Sequence, residues 1–162
     1  MLIKNAIFSD CRRYRFTLQR TWNSRKPFVA FVGLNPSTAD ETNDDPTVRR
    51  CIRFAESWGF GGMYMLNAFA LRSTDPKELY RTDEPTGGFL NDYWIKRISS
   101  LAAITVACWG NHGRHLNRGQ AVRSLLFRPH YLTMTGAGEP GHPLYLPKTL
   151  KPVLWTGREA VA

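Results

Sequence analysis

The sequence lacks a long apolar run, a secretory leader and a paired set of cysteines. None of its apolar stretches approaches the roughly 18 residues that a membrane helix requires. Residues 1–6 contain neither the apolar segment nor the cleavage site of a signal peptide. The three cysteines, Cys11, Cys51 and Cys108, form no Cys-x-x-Cys motif, and any pairing leaves one over. We therefore expect a cytoplasmic protein with no membrane span and no disulfide framework.

Several catalytic and cofactor motifs are also missing. The chain has no P-loop, no Gly-x-Ser-x-Gly elbow and no His-Glu-x-x-His motif. Residues 136–141 match the dinucleotide-binding pattern, but they lead into His142-Pro143 and not into a helix that would hold a pyrophosphate. Cys108, His112 and His115 have no standard zinc spacing and lack a fourth ligand. We expect neither a cofactor nor a metal.

The composition is that of one basic globular domain. A chain of 162 residues, 43% of them apolar, fits a single domain over residues 1–162. Its 22 Lys and Arg outnumber its 13 Asp and Glu, giving a formal charge of +9. Such a charge favours polyanions, nucleic acid above all, and the excess of arginine over lysine suits bidentate phosphate contacts. The alternative is a basic surface that serves only solubility.

Apolar strands alternate with helical patterns along most of the chain. Continuous or alternating apolar runs predict strands over 12–22, 28–33, 62–69, 102–109 and 130–135. Helices are predicted from the Asp45 cap and Pro46 to Gly59, over 89–101 and over 115–127. This alternation indicates an α/β fold of three layers (α/β/α), with a central, mostly parallel four-stranded sheet and an N-terminal strand or hairpin.

Polar residues gather where the predicted strands end, which is where parallel sheets bind ligands. Gly33-Leu34-Asn35-Pro36-Ser37 follows the first buried strand, and Asn67 ends the next. Residues 109–112 and His142-Pro143 follow later strands. A carboxamide both donates and accepts hydrogen bonds, so Asn35 and Asn67 together are suited to reading a base edge and positioning a water. An ordinary Asn-Pro turn is the competing interpretation.

Residues 38–45 concentrate acidic side chains in this otherwise basic chain. Asp40, Asp44 and Asp45 are candidates for a general base or for metal ligands. A solvated loop that ends in the Asp45 helix cap is the simpler alternative.

Three segments resemble one family. They are residues 33–40, residues 45–51 and residues 67–76, and Trp109-Gly110 and His142-Pro143-Leu144 continue the similarity. On these residues the chain resembles the DUF1643 family over nearly its whole length. The name of that family records an undefined function.

The order of the motifs is more distantly similar to the uracil-DNA glycosylase superfamily. That resemblance implies that Asn35 positions the hydrolytic water, Asn67 reads the extruded base and His142 faces the base and the sugar. It also implies that Leu146 fills the gap left in the DNA. Because Asn35 cannot accept a proton, a slow or selective enzyme is expected unless Asp40, Asp44 or Asp45 acts as the base. Ser37 stands where the strictest uracil enzymes carry a tyrosine, which implies a roomier pocket.

The resemblance implies a base pocket and a DNA-contacting surface. Base-binding candidates are Gly33, Leu34, Pro36, Ser37, Asn67 and Phe69. DNA-contacting candidates are Arg49, Arg50, Arg53, Arg72, Arg114, Arg118, Leu146 and Lys148.

The predicted function is a DNA glycosylase, acting as a monomer on a flipped pyrimidine that is damaged or hypermodified, in repair or in defence against phage. Two alternatives stay open: a non-catalytic nucleic-acid-binding module on the same fold, and a hydrolase of free nucleotides or nucleosides.

Overall fold

A computed structural model describes residues 2–157 and confirms an α/β fold. Along the chain follow β1 (Ile3–Phe8), β2 (Arg15–Thr21), β3 (Phe28–Gly33), α1 (Pro46–Ser57), β4 (Gly62–Asn67), α2 (Glu78–Arg81), α3 (Gly88–Leu101), β5 (Ile104–Ala107), a 3-10 segment (Asn111–Asn117), α4 (Arg118–Leu125), β6 (Pro129–Tyr131) and β7 (Val153–Leu154). No helix in this part of the chain is long and apolar enough to cross a membrane.

The sheet is mixed and has seven strands among the described residues, in the order β1-β2-β4-β3-β5-β6-β7. It is therefore larger than the mostly parallel four-stranded sheet expected from the sequence. Parallel pairs join β4 to β3, β3 to β5 and β5 to β6. Antiparallel pairs add β1 and β2 at one edge and β7 at the other. Strand β7 has only two residues, too few to show an apolar or alternating sequence pattern, and it is recognised by its pairing with β6.

Two apolar cores lie on opposite faces of the sheet. Side chains alternate along a strand, so neighbouring residues of β3 point to different faces. Val29 and Phe31 pack with α1 residues, whereas Ala30 and Val32 pack with residues of α3 and α4. Burial on both faces explains why Phe28–Gly33 is continuously apolar.

Local signals set the bounds of the helices. Asp45 caps α1, because its Oδ1 accepts a hydrogen bond from the amide of Val48 at 2.8 Å, and Pro46 begins the helix as predicted. The predicted helix over 115–127 is shorter and begins at Arg118. Leu116 and Asn117 adopt left-handed backbone conformations, which an α-helix does not accommodate.

The connections after β3 and β5 leave towards opposite faces of the sheet. The chain passes from β3 to α1 on one face and from β5 to α4 on the other. Two neighbouring parallel strands whose connections diverge leave a crevice at their carboxyl ends. Of the polar strand ends predicted from the sequence, those at Asn35, residues 109–112 and His142 border this crevice.

Candidate functional site

A cleft of about 510 Å³ opens at the carboxyl ends of β3 and β5. Its size falls within the range of small-molecule and base-binding sites. Five chain segments line it, with Leu34, Asn35 and Ser37, then Asp45, Pro46 and Thr47, then Ser73, Thr74 and Pro76, then Trp109, Gly110, Asn111 and His112, and finally His142 and Leu144. The cleft therefore brings together Asn35, Asp45 and His142, which are far apart in the chain.

Asn35 is held in one orientation by its own amide group. Its Nδ2 donates to the carbonyls of Pro36, Leu71 and Ser73 at 3.2, 3.3 and 3.0 Å. The Ser73 amide in turn donates to the carbonyl of Pro36 at 2.9 Å, which ties the two loops together. All donor capacity of the Asn35 side chain is directed into the protein, and the carboxamide oxygen is left as its acceptor.

Asp45 combines a structural role with a position in the cleft wall. Its side chain is 6% exposed, and its two oxygens accept from the amides of Val48 at 2.8 Å and of Ala39 at 3.4 Å. The Asp45 charge acts to raise the pKa values of Arg15 and His142, although desolvation lowers both overall. Among the described residues Asp45 is thus the one carboxylate in the lining, and its charge acts on both Arg15 and His142.

His142 is set up as a neutral hydrogen-bond donor. Its Nδ1 accepts from the amide of Leu144 at 3.2 Å, which leaves the proton of a neutral ring on Nε2. Desolvation by the surrounding cleft lowers the pKa of His142, and the Asp45 charge opposes this only in part. Gly110 lies beside the Cβ of His142, and its φ of +71° is a backbone conformation in which a side chain is strained.

Gly33, Asn67 and Phe69 lie beneath the cleft and do not line it. Asn67 is 2% exposed, and its Oδ1 accepts from Nη2 of Arg15 at 3.0 Å. A Cβ on Gly33 would approach the Asn67 amide to 3.2 Å and Met65 more closely still. Base reading by Asn67 stays a prediction, because in this structure its carboxamide supports Arg15.

Sequence reasoning missed the two buried arginines of β2. Arg15 donates to the carbonyl of Ala39 at 3.1 Å, and burial lowers its pKa to about 10, so it stays charged at neutral pH. Arg20 bonds Asp44 Oδ1 at 2.7 Å and the carbonyls of Asp40 and Asn43 at 2.7 and 3.1 Å. The alternation of residues 12–22 predicted a half-exposed strand, but the acidic loop covers its outer side and supplies these partners.

The acidic loop is closed by hydrogen bonds of its own. Backbone amides of Asn43 and Thr42 donate to the Asp40 carboxylate at 2.8 and 2.9 Å and hold its pKa far below the usual range. Asp40 does not line the cleft, so a role as general base has no support from its position. Within residues 2–157, no three His, Cys, Asp or Glu side chains cluster as a metal site would require.

Trp109 and His112 add an aromatic and an imidazole side chain to the lining of the cleft. The Trp109 Nε1 donates to Glu139 at 2.8 Å, and Gly113 and Gly119 leave the space its indole needs. Tyr80 is exposed, and its hydroxyl lies 3.0 Å from Nδ1 of His112. The centroid of its ring is 4.1 Å from that of the His115 ring. Tyr80 lies outside the described lining of the cleft, and the long connection after β4 that carries it has no recognisable motif.

The predicted DNA contacts divide by their surroundings. Arg118 is buried and bonded to the Ala68 carbonyl and to Asp92, both at 2.6 Å, so it lies inside the fold and away from the surface on which a phosphate contact was expected. Arg49 and Arg72 bond carbonyls of Asp44 and Arg12. Arg114 is exposed. The remaining three cations, Arg50, Arg53 and Lys148, line a second depression of about 160 Å³.

The loop after His142 does not present Leu146 at its tip, where a residue that fills the gap in the DNA was expected. Leu146 is half-buried and packs against the core below α1, which leaves it poorly placed to enter DNA. Its neighbour Tyr145 is 97% exposed and has φ of +68°, an uncommon and strained conformation for a bulky side chain. The exposed group at the tip of this loop is therefore an aromatic ring.

Comparison with known families identifies a family that the chain matches. Residues 15–144 match the family described as "Protein of unknown function (DUF1643)". No curated protein and no solved structure is significantly similar to the chain.

Proposed function

Because the chain belongs to the DUF1643 family, whose description names no function, we propose its function from the cleft. The protein hydrolyses the N-glycosidic bond of a damaged or modified pyrimidine that DNA extrudes into this cleft. The finer relationship to the uracil-DNA glycosylase superfamily is part of the proposal. The parallel run of β4, β3, β5 and β6, with the Gly33–Pro36 turn after β3, supports it.

One observation carries the proposal: Asn35, Asp45 and His142 line the same cleft, with complementary hydrogen-bonding capacity. Asn35 offers a hydrogen-bond acceptor in a fixed orientation, Asp45 offers a charged acceptor, and His142 offers a neutral donor. Hydrolysis of a glycosidic bond needs these three properties, because water has to be oriented, the sugar cation stabilised and the leaving base solvated.

The chemistry follows from these positions. As the C1′–N bond breaks, its electron pair moves onto the base, and Nε2–H of His142 donates to the developing oxyanion. Asn35 Oδ1 accepts from a water and aims its oxygen at C1′. The Asp45 carboxylate stabilises the positive sugar and takes the proton of the attacking water. Only modest basicity is needed, because the sugar cation is a strong electrophile.

The cleft lining favours an uncharged group. Among the lining residues that the structure describes none is Lys or Arg, although the chain carries 22 of them. A base and its sugar are neutral, whereas a free nucleotide brings a phosphate that would lie near Asp45. The lining thus supports a base delivered by DNA, with the phosphates held outside, over the hydrolysis of free nucleotides.

The test is release of the base from duplexes that carry uracil, mispaired thymine or 5-substituted cytosines. We expect an abasic product with at least one of them. We expect His142→Ala to lower the rate about 10²–10³-fold, the usual effect of losing a donor to a developing oxyanion. His130→Ala removes a histidine outside the cleft and is the matched control.

The pH profile tests the protonation state of His142. Because the neutral ring is the active form and its pKa is lowered, activity is retained as pH falls through 6.5, the ordinary histidine pKa, and declines only below it. His142→Gln keeps a donor but does not titrate, so this decline is absent. No abasic product on any substrate, with DNA binding intact, would leave the non-catalytic binding module as the better account.

A further inference from the structure

We propose that the depression lined by Arg50, Arg53 and Lys148, here called the basic notch, binds a backbone phosphate of the nucleic acid whose base enters the cleft. The notch also includes Phe54 and Ser57. Its volume of about 160 Å³ corresponds to about five water molecules at ~30 Å³ each, which is room for a phosphate group. The assignment of the ligand as DNA or RNA backbone extends the proposed function, but phosphate binding itself does not depend on catalysis.

The cationic groups of these three residues have no hydrogen-bond or salt-bridge partner among residues 2–157, and that of Arg50 lies over the Phe54 ring, 5.3 Å from its centroid. None of them takes part in a hydrogen bond to a side chain or carbonyl or in a salt bridge there, whereas Arg12, Arg20, Arg81 and Arg118 each bond an acidic side chain. The Nε of Arg50 is buried without an acceptor. Three like charges around one small depression repel each other, so an anion that bonds all three gains more than it would from separate surface cations.

The notch and the cleft share two walls. Pro46, which lines the cleft, and Arg50, Arg53 and Ser57, which line the notch, recur every three or four residues and so form one stripe along α1. On the other side, the segment from His142 to Lys148 passes from the cleft to the notch. Arg53 lies about 10 Å along the helix axis from Pro46, a span of a few nucleotides. A strand with one base in the cleft can therefore place a nearby phosphate in the notch.

The experiment compares two double variants that remove the same charge. Arg53→Gln/Lys148→Gln empties the notch of two exposed cations, and Lys96→Gln/Arg97→Gln removes two exposed cations from α3 on the opposite face of the sheet. Binding of an oligonucleotide of about 20 residues is measured against salt concentration. We expect the notch variant to bind with an affinity lower by on the order of tenfold. The slope of log affinity against log salt concentration is expected to become shallower by about 1.5, and the α3 variant is expected to change little in either quantity.

A mononucleotide, thymidine 5′-monophosphate, separates the two sources of phosphate. It is expected to bind weakly, and equally to both variants, because the phosphate of a single nucleotide in the cleft lies near Asp45 and does not reach the notch. Equal losses for the two double variants with the oligonucleotide would overturn the proposal. A loss with the mononucleotide as large as with the oligonucleotide would overturn the assignment to a nucleic-acid backbone. Oligonucleotide binding that depends on the notch without any base release would keep this inference and reject the proposed glycosylase.

Discussion

The arginines beneath the acidic loop and the cations of the basic notch are the same kind of residue in opposite surroundings. Arg15 and Arg20 are almost fully buried, and carbonyls and side chains accept from their guanidinium groups. Arg53 and Lys148 are exposed and unpartnered among the described residues. A buried charge needs its partners for the fold to be stable, whereas an exposed charge without partners is available to a ligand. Net charge alone does not separate these two roles.

The sharpest test of this contrast is Arg20→Met. Removing the guanidinium leaves Asp44 and two loop carbonyls without their donor, so we expect a loss of about 3 kcal/mol in the free energy of unfolding. Arg53→Met in the notch is expected to change stability by no more than about 0.5 kcal/mol. Urea unfolding of both variants gives the comparison. Similar losses for the two would show that the notch cation is also structural.

A smaller effect is expected at the turn above Arg15. In Asn35→Asp, a carboxylate replaces the amide that donates to three carbonyls, which costs about 2 kcal/mol of stability at neutral pH. Ser37→Ala changes a neighbouring residue that also lines the cleft, and we expect about 0.5 kcal/mol or less. Unfolding at pH 5 is the second measurement, because protonation restores a donor to the aspartic acid. An Asn35→Asp variant as stable as wild type would mean that the turn is not held by this amide.

A substitution at the tip of the 142–146 loop is expected to raise the stability of the fold, in contrast to the two substitutions above. Tyr145→Gly relieves a left-handed backbone conformation and removes no buried contact, so we expect about 1 kcal/mol of added stability. Leu146→Ala removes a half-buried side chain and lowers stability. If Tyr145 enters the DNA stack, the more stable glycine variant releases base more slowly. A glycine variant with unchanged activity would assign the tyrosine no role in the reaction.

The smallest expected effect is the dependence of the stability of the fold on pH. Hydrogen bonds from Asn43 and Thr42 lower the pKa of Asp40, and Arg12 lowers that of Glu41 to about 2. A lowered folded-state pKa means that these groups stabilise the fold above their ordinary pKa near 4, and that this contribution is lost as pH falls towards 2. Arg12→Gln is expected to reduce the acid sensitivity of unfolding.

Local sequence signals predicted most of the central fold. Phe28–Gly33 is apolar throughout because it is buried on both faces, and Asp45-Pro46 marks the start of α1 through capping alone. Such signals act between residues that are close in the chain. The pairing of β7 with β6 and the break before α4 depend on distant contacts or on backbone strain, so the sequence pattern did not reveal them.

The candidate site was predictable in position but not in composition. Polar residues after β3, β5 and β6 indicated a site at one edge of the sheet, and Asn35, Asp45 and His142 do line one cleft there. Asn67 has the same residue type and the same strand-end position as Asn35, yet it faces the interior and binds Arg15. Which of the two carboxamides reaches the cleft is decided by β2, a strand about 50 residues earlier that supplies the guanidinium.

By itself the sequence determined the α/β class, the basic charge, the cap of α1 and the membership of a family. These depend on composition, on periodicity and on contacts within a few residues. Only the tertiary structure decided which basic residues of the described part of the chain are enclosed and which are exposed. A guanidinium is the same group in both settings, and its role depends on whether a loop from elsewhere in the chain brings acceptors to it. That arrangement separates Arg15, Arg20 and Arg118 from the basic notch.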